Sequence, residues 1–360
     1  MDELKVVKVK LNELEAYCSR FTTGIHSVVP LSQARMKSYL ANPNSLSSDV
    51  ALYTIESKKQ IVAFRSIWAD VLHTSKEPVR FGWCSGNWVH PSFRRKGLSL
   101  KLLDVALSDW EGKLMFTNYA PESLNAYMKS GHFSVLHERT GKRFYLKSNY
   151  SELLSSKVNN KLLGKFAAMG GKLLSFYGSL KAESFVTGNF SHFDISIDTE
   201  CPEGFFENID ENTSLFRRSK EVYDWIFRYP WITETEDEDS QYPFSSFKKS
   251  FQYYFITIKK SQFKVSSMLI SECEGKVKLL YSIHIPRHEG LAMQFLAKWC
   301  AQQKIETLTI LDPELAASMH DIKNPFLFSK AFTMNIYSSF DVEKKKNTTV
   351  FDADGDYIFT

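Results

Sequence analysis

The stretch from Gly86 to Gly131 constrains the fold of this chain more than any other. Residues 81–89 are rich in aromatic side chains and predict a β-strand with a bulge at Gly86. Pro91 cannot lie inside a central strand, so the strand ends before it. The apolar residues that follow recur at helical spacing: Leu98, Leu102, Val105, Ala106 and Trp110. The sequence therefore predicts a strand, a tight turn and a helix in succession.

The turn between that strand and that helix predicts a binding site for an anion. The first N–H groups of a helix have no partners within the helix, and the helix dipole is positive at the same end. Gly97 allows a phosphate to approach the backbone, and Arg94, Arg95 and Lys96 add positive charge. The spacing matches neither Gly-x4-Gly-Lys-Ser/Thr nor Gly-x-Gly-x-x-Gly. A diphosphate would suit this turn; the alternative is a basic helix start without a ligand.

Three motifs in this stretch resemble the GNAT superfamily of N-acetyltransferases. Arg94-x-x-Gly97-x-Ser99 is similar to the acetyl-coenzyme A loop of that family, with Ser99 in the place of the usual Gly or Ala. Val89-His90-Pro91 is similar to the family's Val-x-Pro. The family's second helix, which ends in Tyr-x3-Gly-Phe, resembles a downstream series with one inserted residue: Ser123, Tyr127, Gly131, His132 and Phe133. The resemblance is carried by residues 1–148, and the whole chain resembles two-domain members in which a second, GNAT-like half follows. It implies an α/β GNAT fold with a mixed sheet, in two tandem domains.

The resemblance implies acyl transfer from acetyl-CoA to an amine. It places the pyrophosphate on the backbone N–H groups of the turn: Arg95, Lys96, Gly97, Leu98 and Ser99. It places the pantetheine arm along the backbone of Trp88 and Val89, with Asn118 and Ser123 nearby. Tyr127 matches the tyrosine that protonates the leaving thiolate, a role that suits a phenol because it holds its proton at neutral pH. The alternative for Tyr127 is a core tyrosine.

No general base is evident on the central strand, since residues 81–89 contain no Asp or Glu. His90 and His132 are possible proton carriers, although each is more simply a surface histidine. The chain printed here ends at Thr360, after an apolar segment from Tyr357. In tandem-domain aminoglycoside acetyltransferases of GNAT fold, a terminal carboxylate acts as the base. A carboxylate at Thr360 is therefore one hypothesis, and an edge strand of the second domain is the alternative.

The second half of the sequence predicts a repeat of the first. Three strands, a helix and a strand follow one another between residues 252 and 311, as they do in the first half. We expect a GNAT domain at 1–148, a connecting helical segment at 149–184 and a divergent GNAT-like domain at 185–360. The motif Arg287-x-x-Gly290-x-Ala292 repeats the phosphate turn, but Glu289 carries negative charge into it. We expect this second copy to be degenerate.

The connecting segment combines apolar residues at helical spacing with lysines, and Gly170-Gly171 is expected to interrupt its helix. One interpretation is a basic amphipathic helix that lies on a membrane. The other is a helix packed against the domains, with its lysines in solvent. The frequency of apolar stripes in protein cores favours the second interpretation.

Composition narrows the class of protein. The chain has 360 residues, a net charge of +4 and 43% hydrophobic residues, which is enough for two cores. Its five cysteines show no zinc-binding spacing, which predicts free thiols and no metal site. We expect a cytoplasmic enzyme without a leader peptide, a membrane span or nucleic-acid binding, acting on a small-molecule or peptide amine. The alternatives are a non-catalytic CoA-binding or interaction module and a tandem-GNAT transferase of aminoacyl groups.

Overall fold

A computed structural model describes residues 4–21, 28–74, 76–117, 121–146, 161–185, 189–207, 214–233, 235, 241–244, 246–343 and 348–360. For residues 121–123 and 161–168 it describes the backbone only. The described part of the chain forms two seven-stranded mixed sheets with helices packed against them. The predicted α/β class is confirmed.

The strands follow the chain in this order: β1 (Val6–Lys10), β2 (Val50–Ser57), β3 (Gln60–His73), β4 (Pro78–Val89), β5 (Leu114–Thr117), β6 (Ser134–His137), β7 (Thr140–Tyr145), β8 (Asp194–Asp198), β9 (Phe251–Lys260), β10 (Phe263–Cys273), β11 (Lys276–His284), β12 (Thr307–Ile310), β13 (Phe328–Thr333) and β14 (Ile336–Ser338). The first sheet has the order β1-β2-β3-β4-β5-β14-β6, and the second has the order β13-β7-β12-β11-β10-β9-β8. Only the β4/β5 and β11/β12 pairs are parallel among the described strand pairs. Each sheet therefore has one parallel pair at its centre.

The helices are α1 (Leu14–Ser19), α2 (Gln33–Ala41), α3 (Leu98–Asp109), α4 (Pro121–Lys129), α5 (Lys161–Glu183), α6 (Lys220–Arg228), α7 (Glu289–Gln302) and α8 (Pro313–Asp321). Helix α3 connects β4 to β5, and α7 connects β11 to β12. The order of three strands, helix and strand thus occurs in both halves, as the sequence predicts, and a further helix follows in each half, α4 and α8. The segment 356–359, for which an edge strand was the alternative, is instead a short 3-10 helix.

The two halves exchange strands, which corrects one expectation. The sequence predicts that Phe133–Leu136 and Arg143–Leu146 form a hairpin turned at Thr140-Gly141-Lys142, but β7 pairs with β12 and β13 of the second sheet. In return, β14 lies between β5 and β6 of the first sheet. The predicted turn residue Gly141 instead lies inside β7, where an added Cβ would stand 1.9 Å from the carbonyl oxygen of Ile310. A backbone approach this close requires glycine.

One hydrophobic core spans both sheets. It joins Trp68 and Trp83 of the first sheet to Leu269 and Leu280 of the second, with Phe359 between them. Phe359 stacks on Trp231 with ring centroids 4.5 Å apart. The expected division at residues 148 and 185 stays a prediction, since each sheet takes a strand from the other half of the sequence.

Helix α5 runs without interruption from Lys161 to Glu183, so the expected break at Gly170-Gly171 is wrong. No helix in the described ranges combines the length and the apolar character needed to cross a bilayer.

Candidate functional site

The central strands of the first sheet separate soon after they pair. Strands β4 and β5 pair only at Gly82–Leu114 and Trp83–Met115. Beyond Trp83, this edge of β4 has no neighbouring strand among the described residues. Backbone groups on such an edge are free to bind an extended ligand as an added strand would.

Gly86 is the bulge that the sequence predicts. Arg65 pairs with Asn87 and Ser66 pairs with Ser85, so Gly86 has no partner in this register, and its φ is +75°. A bulge shifts the side-chain alternation by one residue. Asn87 consequently lies on the same face as α3, while Ser85 faces the core shared by the two halves.

The register identifies which residue presents its backbone at the open edge. His90 N–H donates to the carbonyl of Val62 at 2.8 Å, which makes this a hydrogen-bonded pair. Such pairs alternate along an antiparallel ladder, so the N–H and C=O of Trp88 face β3 and those of Val89 face the open edge. The side chain of Arg94 already uses that edge, because its Nε donates to the Val89 carbonyl at 3.2 Å.

The predicted phosphate turn stands at the end of this edge. Gly97 is the N-cap of α3 in the left-handed region, with φ of +78°, and a Cβ there would meet no atom within 4 Å. Arg94, Arg95 and Lys96 are all exposed beside it. The first-turn N–H groups of α3, the open space and the positive charge together fit a pyrophosphate.

A cavity of about 670 Å³ gathers most of the predicted cofactor residues. Its lining includes seven of them: Trp88, Val89, Arg94, Arg95, Gly97, Leu98 and Ser99. Lys96 lies in the same turn, with its Nζ 4.8 Å from the centre of the Phe93 ring. Asn118 lies outside the described residues. Ser123 lies in the first turn of α4, and only its backbone is described.

Ser99 connects the turn to the strand. Asn87 Nδ2 donates to Ser99 Oγ at 3.0 Å, and Ser99 Oγ lies 3.1 Å from Asn87 Oδ1. Arg65 Nη2 lies 3.5 Å from both oxygens of Ser99. The hydroxyl that departs from the family pattern therefore fixes the start of α3 against β4.

Tyr127 is buried below this turn rather than exposed in the cavity. Its ring stacks on Phe116 at 3.8 Å, and its hydroxyl accepts a short hydrogen bond from Arg65 Nη1. Burial raises the pKa of the Tyr127 phenol, although the nearby guanidinium acts in the opposite direction. The phenol therefore keeps its proton. Its neighbours Asn125 and Ala126 line the cavity, whereas Tyr127 is not among the lining residues.

Arg65 is a buried cation that the sequence analysis missed. Its exposed fraction is 1%, and no ion pair to it exists within the described parts of the chain. Its Nε has no hydrogen-bond partner there either. The only signal in the sequence is a single charge inside the apolar strand from Gln60 to Trp68. A charge in that position is unusual because a buried charge is costly unless it has a role or a partner.

A carboxylate from the C-terminal segment lies between β4 and β5 where these strands separate, on the face of the sheet that Ser85 occupies. Asp356 Oδ1 accepts from Thr117 Oγ1 at 2.5 Å, and Oδ2 accepts from Ser85 Oγ at 3.2 Å. Arg35 Nη1 lies 2.7 Å from the same Ser85 hydroxyl, and its guanidinium stacks 4.0 Å above Trp231. The acid absent from residues 81–89 is thus supplied from more than 260 residues away.

Thr360 does not occupy that position. Lys278 Nζ of β11 donates to the Thr360 carbonyl oxygen and lies 3.1 Å from Thr360 Oγ1. Burial lowers the pKa of Lys278 to about 8. Lys278 holds Thr360 beside β11 of the second sheet, so the hypothesis of a base at Thr360 in the first copy is wrong. His90, another candidate proton carrier, takes part in a local turn, where its ring Nδ1 accepts a hydrogen bond from Ser92 N–H at 3.2 Å.

The second copy differs from the first at the equivalent place. Helix α7 begins at Glu289, so Gly290 lies within the helix rather than in a left-handed cap. The segment at 351–354 fills the separation of β11 and β12: Ala353 N–H donates to Leu280, and Leu311 N–H donates to Asp352 Oδ2 at 2.7 Å. These differences favour the expectation of a degenerate copy, which stays a prediction.

Comparison with known proteins gives the fold. No protein-family model matches the sequence, and no curated protein matches it. A tandem GNAT protein from the clavulanic acid biosynthesis pathway is similar over 94% of this chain and 99% of that chain, with a TM-score of 0.50 and 11% identity. A candidate acetyltransferase from Pyrococcus horikoshii is similar over 98% of this chain and 94% of that chain, with a TM-score of 0.47 and 11% identity. At such identity only the fold is shared, and this chain has the GNAT fold in two tandem copies.

Proposed function

We propose that the first GNAT copy is an acyl-CoA-dependent N-acyltransferase that transfers an acetyl group to an amine. The observation that carries this proposal is the separation of β4 and β5, which opens onto the left-handed Gly97 turn at the start of α3. An extended arm would lie along the open strand edge while a diphosphate met the helix start.

The chain's own residues divide the binding of acetyl-CoA between them. First-turn N–H groups of α3 and the charges of Arg94, Arg95 and Lys96 would hold the pyrophosphate. The backbone of Val89 would bind the pantetheine arm, after Arg94 Nε releases its carbonyl. Bound there, the coenzyme supplies an activated acyl carbonyl. The expected backbone contact of Trp88 with the arm is wrong, because its N–H and C=O face β3, and Trp88 contributes only to the cavity lining. Roles for Asn118 and Ser123 are part of the same proposal.

Asp356 serves the acceptor amine in this proposal. A carboxylate attracts a cationic amine, and it takes up the proton that the nitrogen loses as the C–N bond forms. Ser85 Oγ, which donates to Asp356, stands where β4 begins to separate from β5. Arg35 at the same hydroxyl limits how much negative charge this site presents. In this proposal Asp356 supplies the general base that residues 81–89 lack.

Tyr127 is proposed to return a proton to the leaving thiolate as the C–S bond breaks. Burial keeps its phenol protonated, and Arg65 fixes the hydroxyl position. Arg65 is therefore a positioning residue in this scheme. Its charge would also stabilise negative charge that develops near the hydroxyl.

The second candidate is a CoA-binding module without turnover. It is favoured by one observation, the burial of the Tyr127 hydroxyl under Arg65 outside the cavity lining. If this is the function, acetyl-CoA binds the first copy and no acceptor amine is consumed.

Thiol release from acetyl-CoA, measured across a panel of amines, separates the two candidates. The proposal expects amine-dependent thiol release that falls by about 10² or more in Asp356→Asn, because general base catalysis contributes factors of that size. Asp352→Asn is the matched control, since it makes the same change on the same segment at the second copy. Binding of acetyl-CoA without release of thiol for any amine would support the non-catalytic module.

A further inference from the structure

Helix α5 turns its large apolar side chains towards solvent. Five of them recur at intervals of one helical turn and are about half exposed or more: Met169 at 57%, Leu173 at 64%, Phe176 at 64%, Tyr177 at 59% and Leu180 at 46%. Residues three and four apart share one face of a helix, so these five form a continuous stripe. The favoured interpretation, a helix packed against the domains, expects its apolar stripe in the core, but these five side chains are exposed instead.

The opposite face of α5 attaches the helix to the protein. Gly171, Gly178 and Ala182 are buried there. A Cβ on Gly178 would stand 2.1 Å from the carbonyl oxygen of Leu146, so the helix lies directly on the chain beneath it. Lys181 Nζ adds a hydrogen bond of 2.7 Å to the carbonyl of Phe326. Small residues hold this part of α5 in place, and the five large residues of the stripe point away from the domain.

This arrangement reverses the usual amphipathic pattern of a surface helix, whose apolar stripe faces the core. Exposed apolar residues scattered singly need no explanation, but a contiguous stripe marks a binding surface. Because the small face holds α5 from Gly171 to Ala182, the stripe can meet a surface that lies parallel to the helix axis.

The charges of α5 indicate what kind of surface it meets. Besides Lys181, which bonds to Phe326, the helix carries three lysines, at 161, 165 and 172, and one acid, Glu183. Glu183 lies 3.5 Å from Lys304, so its charge is balanced. Lys172 is exposed one turn before Phe176. A lysine-rich helix with an apolar stripe that includes aromatic residues is typical of helices that lie on anionic bilayers.

We propose that α5 docks the protein on a membrane surface that contains anionic phospholipids, with Leu173 and Phe176 at the centre of the contact. Pairing with a second copy of α5 is disfavoured, because it would bring two lysine-rich helices together with one acid each. Like charges at that distance repel, whereas lipid phosphates complement the lysines. The inference does not depend on the transferase activity.

Vesicle sedimentation tests this inference on the full chain. The vesicles are phosphatidylcholine alone or phosphatidylcholine mixed with phosphatidylglycerol. Leu173→Glu with Phe176→Glu removes the centre of the stripe. The matched control, Leu46→Glu with Phe263→Glu, makes the same changes at positions that are 55% and 74% exposed elsewhere on the molecule. Both variants change exposed positions, and a thermal unfolding measurement on each variant checks that it is folded.

Wild type and control are expected to sediment with the anionic vesicles at about 0.1 M salt and to dissociate substantially at about 1 M, where charges are screened within about 3 Å. The α5 variant is expected to bind at least about tenfold more weakly, since each apolar group withdrawn from water contributes at least that factor. Equal binding by all three proteins, or no binding by wild type, would overturn the proposal. So would a dimer in sedimentation velocity that the α5 variant alone disrupts.

Discussion

Substitution of Gly97 by glutamate tests the cofactor assignment directly, and Gly290 provides the matched control. Gly97 immediately precedes α3 and Gly290 is the second residue of α7, and each helix follows a separating central strand. A Cβ at either position would meet no atom within 4 Å, so neither change is blocked by crowding. The glutamate at residue 97 would stand where we propose that the pyrophosphate binds. The glutamate at residue 290 would stand at the corresponding place in the second copy.

The expected size of the effect follows from chain length. Unfolding entropy of about 2.1 cal/mol/K per residue gives about 0.76 kcal/mol/K for 360 residues that unfold as one unit. One core spans both sheets, so a single transition is expected. A ligand at about 100 times its Kd stabilises the native state by about 2.7 kcal/mol. Acetyl-CoA should therefore raise the Tm by about 3–4 °C, and CoA should compete with it.

The variants should separate backbone strain from loss of binding. A residue other than glycine in the left-handed region costs about 1–2 kcal/mol, so Gly97→Ala and Gly97→Glu should both melt about 1–3 °C lower without ligand. Gly97→Glu should lose the acetyl-CoA shift, because it adds negative charge to the anion site. Gly290→Glu should keep the full shift.

Differential scanning calorimetry over a series of acetyl-CoA concentrations provides the measurement. An undiminished shift in Gly97→Glu would refute the assignment of the cofactor to the first copy. Loss of the shift in Gly290→Glu alone would place the cofactor in the second copy, against the geometry of α7 and of residues 351–354.

Three further predictions concern single side chains. Tyr127→Phe should lower turnover by about 10²-fold or more, while acetyl-CoA still raises the Tm. The unfolding free energy should fall by about 1–3 kcal/mol, because Arg65 Nη1 loses its acceptor. Turnover at the wild-type rate would show that Tyr127 is purely structural. Ser99→Ala should weaken acetyl-CoA binding only modestly in calorimetric titrations, since the hydroxyl fixes the start of α3 through Asn87 but the N–H groups remain; complete loss of binding would contradict this division of roles. Burial raises the pKa of Asp352 to about 7 from an ordinary value of 3.8. Between these two values the folded chain holds a proton that the unfolded chain releases. The contribution of Asp352 therefore lowers the unfolding free energy progressively as pH rises from about 4 to about 7. The unfolding free energy of Asp352→Asn should therefore rise relative to that of wild type as pH increases over that range, by at most about 4 kcal/mol, and its Tm should rise with it. A constant difference between pH 4 and 8 would show that Asp352 does not titrate in this way.

Local pattern in the sequence predicted the elements that build the first site. The aromatic strand, the bulge at Gly86, the left-handed Gly97 and the helix that follows depend on neighbouring residues, since backbone conformation and helical periodicity act over a few positions. The repeated order of strands and helix in the second half could be predicted from the sequence for the same reason. Seven of the predicted cofactor residues consequently meet in one cavity.

Tertiary structure alone decided which distant residues complete the site. Asp356 meets Ser85, and Arg139 holds residues 351–354 through the carbonyls of Asp352 and Asp354. No local pattern encodes such contacts, because they depend on how the two sheets exchange strands and share one core. The exposure of the α5 stripe has the same origin. Periodicity identified an apolar face, but only the close packing of Gly178 on Leu146 determined that this face points to solvent.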